Sequence, residues 1–142
     1  MTSMPTTNKL LKVFVDTNAF VTLEDKHDST HTKAFQIARF LDNRPTSLFT
    51  SSDIIGETLT VIARKLGKKA AEKFVKNYLT TDITQIFITP NLHNQARQLF
   101  FSLKSKNVSF IDCTSIVAMK AHKIPLAFTF DTHFRRPRIR LA

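Results

Sequence analysis

Short apolar runs alternate along the chain with longer segments in which apolar residues recur every three or four positions. Residues 10–15 (LLKVFV) and 125–130 (PLAFTF) are nearly continuous apolar runs, rich in β-branched and aromatic side chains. Such runs are typical of strands that are covered on both faces, as in a parallel sheet. Two further short strands are predicted at residues 47–50 and 83–88.

The segments between these runs carry the helical repeat. Apolar side chains recur at helical spacing through residues 53–66, and Gly67 stands where a helix C-cap is expected. Thr89 followed by Pro90 is typical of an N-cap and the first helical residue. Helices are predicted at residues 18–24, 29–41, 53–66, 68–79 and 90–105, and a last helix reaches residue 121.

This order of elements predicts an α/β fold. Strands that alternate with helices favour a three-layer α/β/α sandwich with a central, mostly parallel sheet. The length of 142 residues is that of one domain. We expect a single domain over residues 9–142, preceded by a disordered lead at residues 1–8, which is rich in Thr, Ser and Pro.

Two acidic residues directly follow the longest apolar runs. Asp16 comes after residues 10–15, and Asp131 comes after residues 125–130. Ligands of an open parallel sheet bind beyond the carboxyl ends of its strands, so both acids share one rim if their strands are neighbours. Taken alone, either residue is better explained as a helix cap or the start of a turn.

A third acid, Asp112, lies in the first turn of the last predicted helix. Ser109 precedes it by three residues, a spacing like that of a capping box. Asp112 also shares a helix face with Ile116 and Met119, which should meet the core. A carboxylate on that face needs a partner, and the helix N-terminus supplies part of one.

A fourth acid, Glu57, borders the apolar stripe of the helix at residues 53–66. It either joins the other acids at the crevice or forms an ordinary ion pair with Arg64 or Lys65. The helix alone favours neither interpretation. Its position relative to the other acids decides between them.

Carboxylates gathered at one crevice repel one another, so they must share protons or bind a cation. This set offers only oxygen ligands, because Cys113 is the only cysteine and the chain has no H-E-x-x-H motif. Oxygen ligands favour Mg²⁺ or Mn²⁺ over zinc. The single cysteine also excludes an intramolecular disulfide.

The charge balance indicates the kind of partner. Lys and Arg outnumber Asp and Glu by 21 to 11, giving a formal net charge of +10, which predicts a polyanionic or an acidic protein partner. The densest positive run follows Asp131 and is either a phosphate-binding segment or simply a solvated basic end. Four arginines are candidate RNA contacts: Arg64, Arg135, Arg136 and Arg138.

Four short motifs, in order, resemble those of the PIN domain family and specifically its VapC-type toxins. They are V-F-V-D-T-N-A-F, a glutamate on the helix after the second strand, F-I-D-C-T-S-I-V-A-M, and F-T-F-D-T-H-F. The likeness spans nearly the whole chain. It implies an Mg²⁺-dependent endoribonuclease that cleaves single-stranded or loop regions of RNA, the toxin of a type II toxin–antitoxin pair. It also implies a cognate antitoxin and a homodimer.

The resemblance also assigns roles to residues. It implies that Asp16 and Asp112 are the principal metal ligands and that Glu57 and Asp131 complete the site, directly or through water. The arginine-rich end, or a groove between the early helices, would receive an acidic antitoxin segment. Three polar positions match supporting residues of the family: Thr17, Asn18 and Thr129.

Other functions fit the residues less well. A response-regulator receiver domain needs an acidic pair that is missing, and a phosphatase of the haloacid dehalogenase type needs D-x-D where this chain has Asp16-Thr17-Asn18. The strongest alternative is a PIN fold kept as a non-catalytic RNA-binding or assembly module. Retention of all four acids argues against it.

The remaining singled-out residues are expected to be structural. The five histidines form no ligand pattern, and Cys113 is expected to be a small buried residue. No export signal and no apolar run long enough to cross a bilayer is present, so a cytoplasmic protein is expected. Four phenylalanines are expected in the core, with a dimer face as the alternative: Phe35, Phe40, Phe100 and Phe101.

Overall fold

The structure is a computed structural model that describes residues 9–134 and 136–140. The lead expected at residues 1–8 and the candidate RNA contact Arg135 lie outside the described residues. The strands are β1 (Leu11–Val15), β2 (Thr46–Ser51), β3 (Thr84–Ile86) and β4 (Leu126–Phe128). The helices are α1 (Thr17–Glu24), α2 (His31–Asp42), α3 (Ser52–Leu66), α4 (Lys68–Tyr78), α5 (Pro90–Ser102) and α6 (Phe110–Ala121).

The four strands form one parallel sheet in the order β3-β2-β1-β4. Strand β1 lies between β2 and β4, with Val13 paired to Leu48 on one side and Phe14 to Ala127 on the other. Val13 and Phe14 are fully buried, as expected for a strand covered on both faces. The predicted α/β sandwich with a parallel central sheet is confirmed, and the strands that precede Asp16 and Asp131 are neighbours.

Helix α3 packs against more of the other helices than any other described helix does. It contacts α1, α4 and α6, while α5 packs against α6 and α2 against α1. Its ends are set locally: the Ser51 hydroxyl accepts a hydrogen bond from the Ile54 N–H at 3.1 Å, and Gly67 closes the helix with a φ of 99°. That positive φ favours glycine, so the predicted C-cap at Gly67 is confirmed.

The described part of the basic tail lies beside β4. Ala127 forms an isolated parallel bridge with Arg138. The Ala127 N–H donates to the Pro137 carbonyl and the Ile139 N–H donates to the Ala127 carbonyl, both at 2.9 Å. Ile139 is buried in the core. Residues 137–139 are therefore hydrogen-bonded along β4, and the interpretation of this stretch as a solvated end is wrong.

Three predicted elements end two or three residues earlier than expected, and β3 is one of them, ending at Ile86 instead of residue 88. The strand expected at residues 125–130 ends at Phe128, because the Phe130 N–H donates to the Asn18 side chain at 3.0 Å instead of continuing a strand. The helix expected to reach residue 105 ends at Ser102, where Leu103 takes an extended conformation. The remaining helix and strand bounds agree with the prediction to within about three residues.

Three of the phenylalanines expected in the core are at the surface. Phe35 is 53% exposed, Phe100 37% and Phe101 82%, whereas Phe40 is half-buried. Phe35 lies on the outer side of α2, whose buried residues are Ala34, Ile37 and Leu41. Within the described part of the chain, no helix is both long and apolar enough to cross a membrane.

Candidate active site

A cavity of about 430 Å³ brings together all four acids predicted to form the site. Asp16 follows β1, Glu57 projects from the second turn of α3, Asp112 stands in the first turn of α6, and Asp131 follows β4. The carboxyl ends of two neighbouring parallel strands meet here with the N-terminal parts of two helices. This is where ligands bind in open α/β sheets.

Asp16 is buried at the end of β1, with 5% of its surface exposed. Its backbone occupies the N-cap position of α1, yet its side chain makes no capping hydrogen bond. The carboxylate instead accepts a hydrogen bond from the Thr129 hydroxyl, with 2.8 Å between Oγ1 and Oδ2. The interpretation of Asp16 as an ordinary helix cap is therefore wrong.

Thr129 holds the two strand ends together. Its hydroxyl, which has one proton, donates to Asp16 and accepts from the Asn18 amide at 3.1 Å and from the Asp131 N–H at 3.1 Å. The Asn18 side-chain oxygen also accepts the Phe130 N–H. Two of the three predicted supporting residues, Asn18 and Thr129, thus fix the segment that carries Asp131 against the segment that carries Asp16.

The surroundings of Asp16 favour its neutral form. Burial raises the pKa of Asp16 to about 6 from an ordinary value of 3.8. The hydrogen bond from Thr129 opposes this rise, while the nearby carboxylates of Asp112 and Glu57 add to it. A buried carboxylate with two acidic neighbours is a group whose charged form a cation would stabilise.

Asp112 is held by the predicted capping box, which is confirmed. The Ser109 N–H donates to Asp112 Oδ2 at 3.0 Å, and the Asp112 N–H donates to Ser109 Oγ at 3.1 Å. Partial burial, followed by the charges of Asp131 and Glu57, raises the pKa of Asp112. Its oxygen Oδ1 is not used by the capping box.

Glu57 belongs to the acidic cluster. It is half-buried, lines the cavity, and its charge acts on both Asp16 and Asp112. This position decides between the two interpretations of Glu57 in favour of the crevice. Asp16, Glu57 and Asp112 thus form a group of electrostatically coupled carboxylates.

Asp131 stands at the edge of this group. Its charge raises the pKa of Asp112 but is not among the causes of the shift at Asp16. One of its oxygens, Oδ1, accepts the His133 N–H at 2.8 Å, which makes a turn of the kind aspartate side chains favour. Asp131 therefore has two roles: it lines the cavity, and one of its oxygens stabilises a local turn.

The donor chemistry of the cavity fits a hard divalent cation. All four acids are oxygen donors, and Asp16 is buried, so its charge is poorly solvated. In the described ranges no group of three or more His, Cys, Asp or Glu side chains is already arranged to hold an ion. The fit accordingly rests on the donor set and the burial of Asp16.

Thr17, the third predicted supporting residue, has a different environment from the other two. It lines the cavity beside Asp16, and its side chain is 8% exposed. Its hydroxyl makes no hydrogen bond within the described part of the chain. Buried hydroxyls are normally satisfied, so this oxygen is an unpaired polar atom in the wall beside Asp16.

Several residues that line the cavity were not predicted from the sequence to do so, among them Asp28, Lys65, Asn107 and Ser109. Lys65 was detectable, because Glu57, Val61 and Lys65 recur every four positions on one face of α3. Asp28 and Asn107 lie in loops without a repeating pattern. Only the three-dimensional arrangement brings them to the site.

The predicted arginine contacts that fall within the described residues, Arg64, Arg136 and Arg138, do not line the acidic cavity. Arg64 is exposed on α3, one position away from Lys65. The Arg136 guanidinium is half-buried and donates from Nη2 to the Ile124 carbonyl at 3.2 Å, so it braces the loop before β4. Arg138 lies in the bridge with Ala127. Cys113 is fully buried, as predicted.

A larger cavity, of about 700 Å³, lies between α3 and α4 and has a different character. Its walls are mainly apolar, with Leu59, Ala63, Ala71 and Val75 among them. Charged side chains border it: Lys68, Glu72 and Lys76. It contains none of the four predicted acids, so size alone does not locate the site, and the polar chemistry lies in the smaller cavity.

Comparisons with known proteins agree on one family. Residues 13–139 match the PIN domain. The chain is 30% identical over 122 residues to the 23S rRNA-specific endonuclease VapC20 of Mycobacterium tuberculosis, which covers 86% of this chain and 91% of that protein. The match to the PIN domain includes every helix and strand described above except the first two residues of β1.

Solved structures give the same result for the fold. The crystal structure of Mycobacterium tuberculosis VapC20, described as a sarcin–ricin loop cleaving toxin, superposes with a TM-score of 0.77 at 30% identity, covering 86% of this chain and 92% of that one. VapBC2 from Rickettsia felis, solved with a DNA fragment from its promoter, has a TM-score of 0.68 at 14% identity and covers 91% of this chain and 98% of that one.

Proposed function

The chain belongs to the PIN domain family, and on that premise we propose that it is a metal-dependent endoribonuclease, the toxin of a toxin–antitoxin pair. The observation that carries the proposal is the convergence of Asp16, Glu57, Asp112 and Asp131 on one cavity. Similarity to an endonuclease over most of both chains supports the same activity. A purely binding module would have no need of four mutually repelling carboxylates.

Mg²⁺ or Mn²⁺ is the proposed cofactor, and the four acids are the residues that would hold it. A bound divalent cation activates a water molecule for attack on the phosphodiester and neutralises charge on the phosphate. Asp16 and Asp112 are proposed as the principal ligands, since each is buried or half-buried and held by a hydrogen bond to one oxygen. Glu57 and Asp131 are proposed to complete the site.

The supporting residues orient these acids. Thr129 fixes one oxygen of Asp16, and Ser109 fixes one oxygen of Asp112. Each hydrogen bond fixes the orientation of its carboxylate, so the protein also sets the position of the second oxygen. Catalytic groups held in this way need little reorganisation during reaction.

The proposed substrate is a looped region of ribosomal RNA, specifically the sarcin–ricin loop of 23S rRNA. The support is the similarity to VapC20, whose name and structure describe this target. An open cavity suits an RNA loop, because the bases and backbone of a loop are more accessible than those of a regular duplex. The positive net charge favours such a polyanion.

The proposal includes two protein partners and a place of action. An acidic antitoxin is supported by the charge of +10, and the groove between α3 and α4, with Lys68 and Lys76 at its border, suits an amphipathic segment. A second copy of the chain is supported by the exposed Phe100 and Phe101 at the end of α5. Because the proposed substrate is ribosomal RNA, the proposed place of action is the cytoplasm.

Purified protein incubated with ribosomes and Mg²⁺ tests the proposal. We expect one cut in 23S rRNA, mapped to the sarcin–ricin loop by sequencing of the new 5′ ends. A single cut at another position would contradict the substrate and leave the activity standing. The absence of any cut with Mg²⁺ and Mn²⁺, in ribosomes and in free RNA, would contradict the endoribonuclease itself.

A further inference from the structure

Among the described residues, one positively charged side chain lines the acidic cavity. Five carboxylates line the cavity, those of the four site acids and Asp28, and the single basic side chain among its lining residues is that of Lys65. Glu57, Val61 and Lys65 lie on one face of α3, so the helix places a carboxylate at one end of the cavity wall and an ammonium group at the other. Eight residues of helix separate them by about 12 Å along the axis.

Lys65 has no strong partner in the described part of the chain. Its side chain is exposed and makes no hydrogen bond or ion pair there, and its charge acts on the Asp28 carboxylate. Asp28 is held mainly by Thr30, whose hydroxyl and N–H donate to its Oδ1 at 2.6 and 2.8 Å. The Lys65 ammonium is therefore available to a ligand.

The structure assigns to Lys65 the binding of a backbone phosphate of the RNA that lies further along the strand than the one that is cleaved. This inference rests on the proposed function. The separation of about 12 Å along α3 is too long for the phosphate that reacts at the carboxylates, so the contact is to a phosphate further along the same strand. An ammonium group binds phosphate as a point charge, without base specificity.

Among the basic residues that the structure describes, only Lys65 lines the acidic cavity. Arg64, the neighbour that the sequence singled out, does not line the cavity, and Arg136 is committed to the Ile124 carbonyl. A strand that leaves the acidic cluster along α3 therefore passes Lys65. The alternative role for this lysine is to offset the repulsion among the acids, in which case its loss would strengthen divalent-cation binding and leave RNA binding unchanged.

Matched variants of the full chain test the assignment. Lys65→Gln removes the charge, Lys65→Arg keeps it, Arg64→Gln tests the competing residue, and Lys73→Gln removes an exposed lysine of α4 outside the cavity. Cleavage of a synthetic sarcin–ricin hairpin is measured as kcat and KM, with the Mg²⁺ concentration at half-maximal rate. Binding of the same labelled hairpin in Ca²⁺ is measured by fluorescence anisotropy at 50 to 200 mM salt.

We expect Lys65→Gln to raise KM with little change in kcat, and Lys65→Arg to restore it. One phosphate contact fewer lowers the slope of log affinity against log salt by about 0.7, so the loss of affinity between 50 and 200 mM salt shrinks by a factor of about 2.6. Lys73→Gln should match the wild type in KM and in salt slope.

Other outcomes overturn the assignment. An unchanged KM in Lys65→Gln, a change in Arg64→Gln alone, or equal changes in Lys65→Gln and Lys73→Gln would each do so. A lower Mg²⁺ requirement with unchanged RNA binding would support the charge-offsetting role instead. If the wild type binds the hairpin with a Lys65-dependent salt slope but cleaves no RNA, the proposed function fails while the phosphate contact stands.

Discussion

Thr129 Oγ1 lies 2.8 Å from Asp16 Oδ2 and donates a hydrogen bond to it, joining two residues that are 113 positions apart in the chain. The same hydroxyl accepts from Asn18 and from the backbone of Asp131. This contact connects the ends of β1 and β4 at the point where the acids converge. It is also a hydrogen bond to a buried carboxylate, the kind whose loss is costly.

Replacing Thr129 by valine, which has a similar shape but no hydroxyl, should destabilise the fold and impair cleavage. The change leaves the Asn18 amide and the Asp131 N–H without their acceptor and removes a bond that lowers the pKa of Asp16. A loss of about 1–3 kcal/mol in the free energy of unfolding is expected from urea titration. Thr129→Ser, which keeps the hydroxyl, should recover most of it; equal stability of the Thr129→Val variant and the wild type would count against this role.

The pKa of Asp16 predicts how stability depends on pH in the absence of metal. Because the pKa is raised from 3.8 to about 6, the folded state keeps a proton that the unfolded chain releases. The contribution is fully favourable below about pH 4 and is lost as the pH rises through 6, a change of about 3 kcal/mol. The partially buried Asp112 changes in the same direction.

Urea unfolding of wild type and Asp16→Asn in EDTA, between pH 4 and 8, measures this dependence. The variant has no ionisable group at this position, so its stability should fall less with pH and should equal or exceed that of wild type above pH 6. Parallel pH profiles in the two proteins would contradict the raised pKa.

Divalent cations should restore the stability that is lost when Asp16 ionises. If Mg²⁺ or Mn²⁺ binds the acids of the folded chain, it stabilises the charged form of Asp16 and raises the melting temperature with metal concentration. A metal concentration of about 100 times Kd stabilises a protein by about 2.7 kcal/mol. Thermal unfolding should show the effect in wild type and in Asp42→Asn, an exposed acid of α2 outside the cavity, and not in Asp112→Asn. The same shift in Asp112→Asn would place the metal elsewhere.

The capping box at the start of α6 should matter to both stability and activity. Ser109→Ala removes the acceptor of the Asp112 N–H and the side-chain hydrogen bond that lowers the pKa of Asp112, while the Ser109 backbone N–H still donates to Asp112 Oδ2. The expected loss in unfolding free energy is about 1 kcal/mol, with a higher Mg²⁺ requirement for cleavage. Ser109→Thr should preserve both properties. A stability loss without any change in metal requirement would limit Ser109 to a helix-capping role.

Much of this arrangement could be predicted because each acid marks the end or the exposed border of an element. Asp16 and Asp131 follow apolar strands, Asp112 occupies a capping position, and Glu57 borders the stripe of α3. Local spacing identifies such positions without knowledge of the fold. The parallel sheet follows from the alternation of strands and helices.

The parts that failed depend on contacts between distant segments. The strand β4 ends early because the Asn18 side chain takes the Phe130 N–H, 112 residues away. The basic tail reads as a polar end, yet the Ile139 N–H pairs with Ala127. Phe35 and Phe101 are apolar but lie on the outer sides of their helices, which hydrophobicity alone cannot distinguish from core positions.

The central claim is that the clustered carboxylates perform metal-dependent RNA cleavage. Single-turnover cleavage of the sarcin–ricin hairpin by wild type, Asp16→Asn, Asp112→Asn and Asp42→Asn tests it most directly, with circular dichroism showing that each protein is folded. Cleavage should require Mg²⁺ or Mn²⁺, proceed normally in Asp42→Asn, and fall by about 100-fold or more in the two site variants. Folded Asp16→Asn and Asp112→Asn proteins that cleave as fast as wild type would contradict the claim.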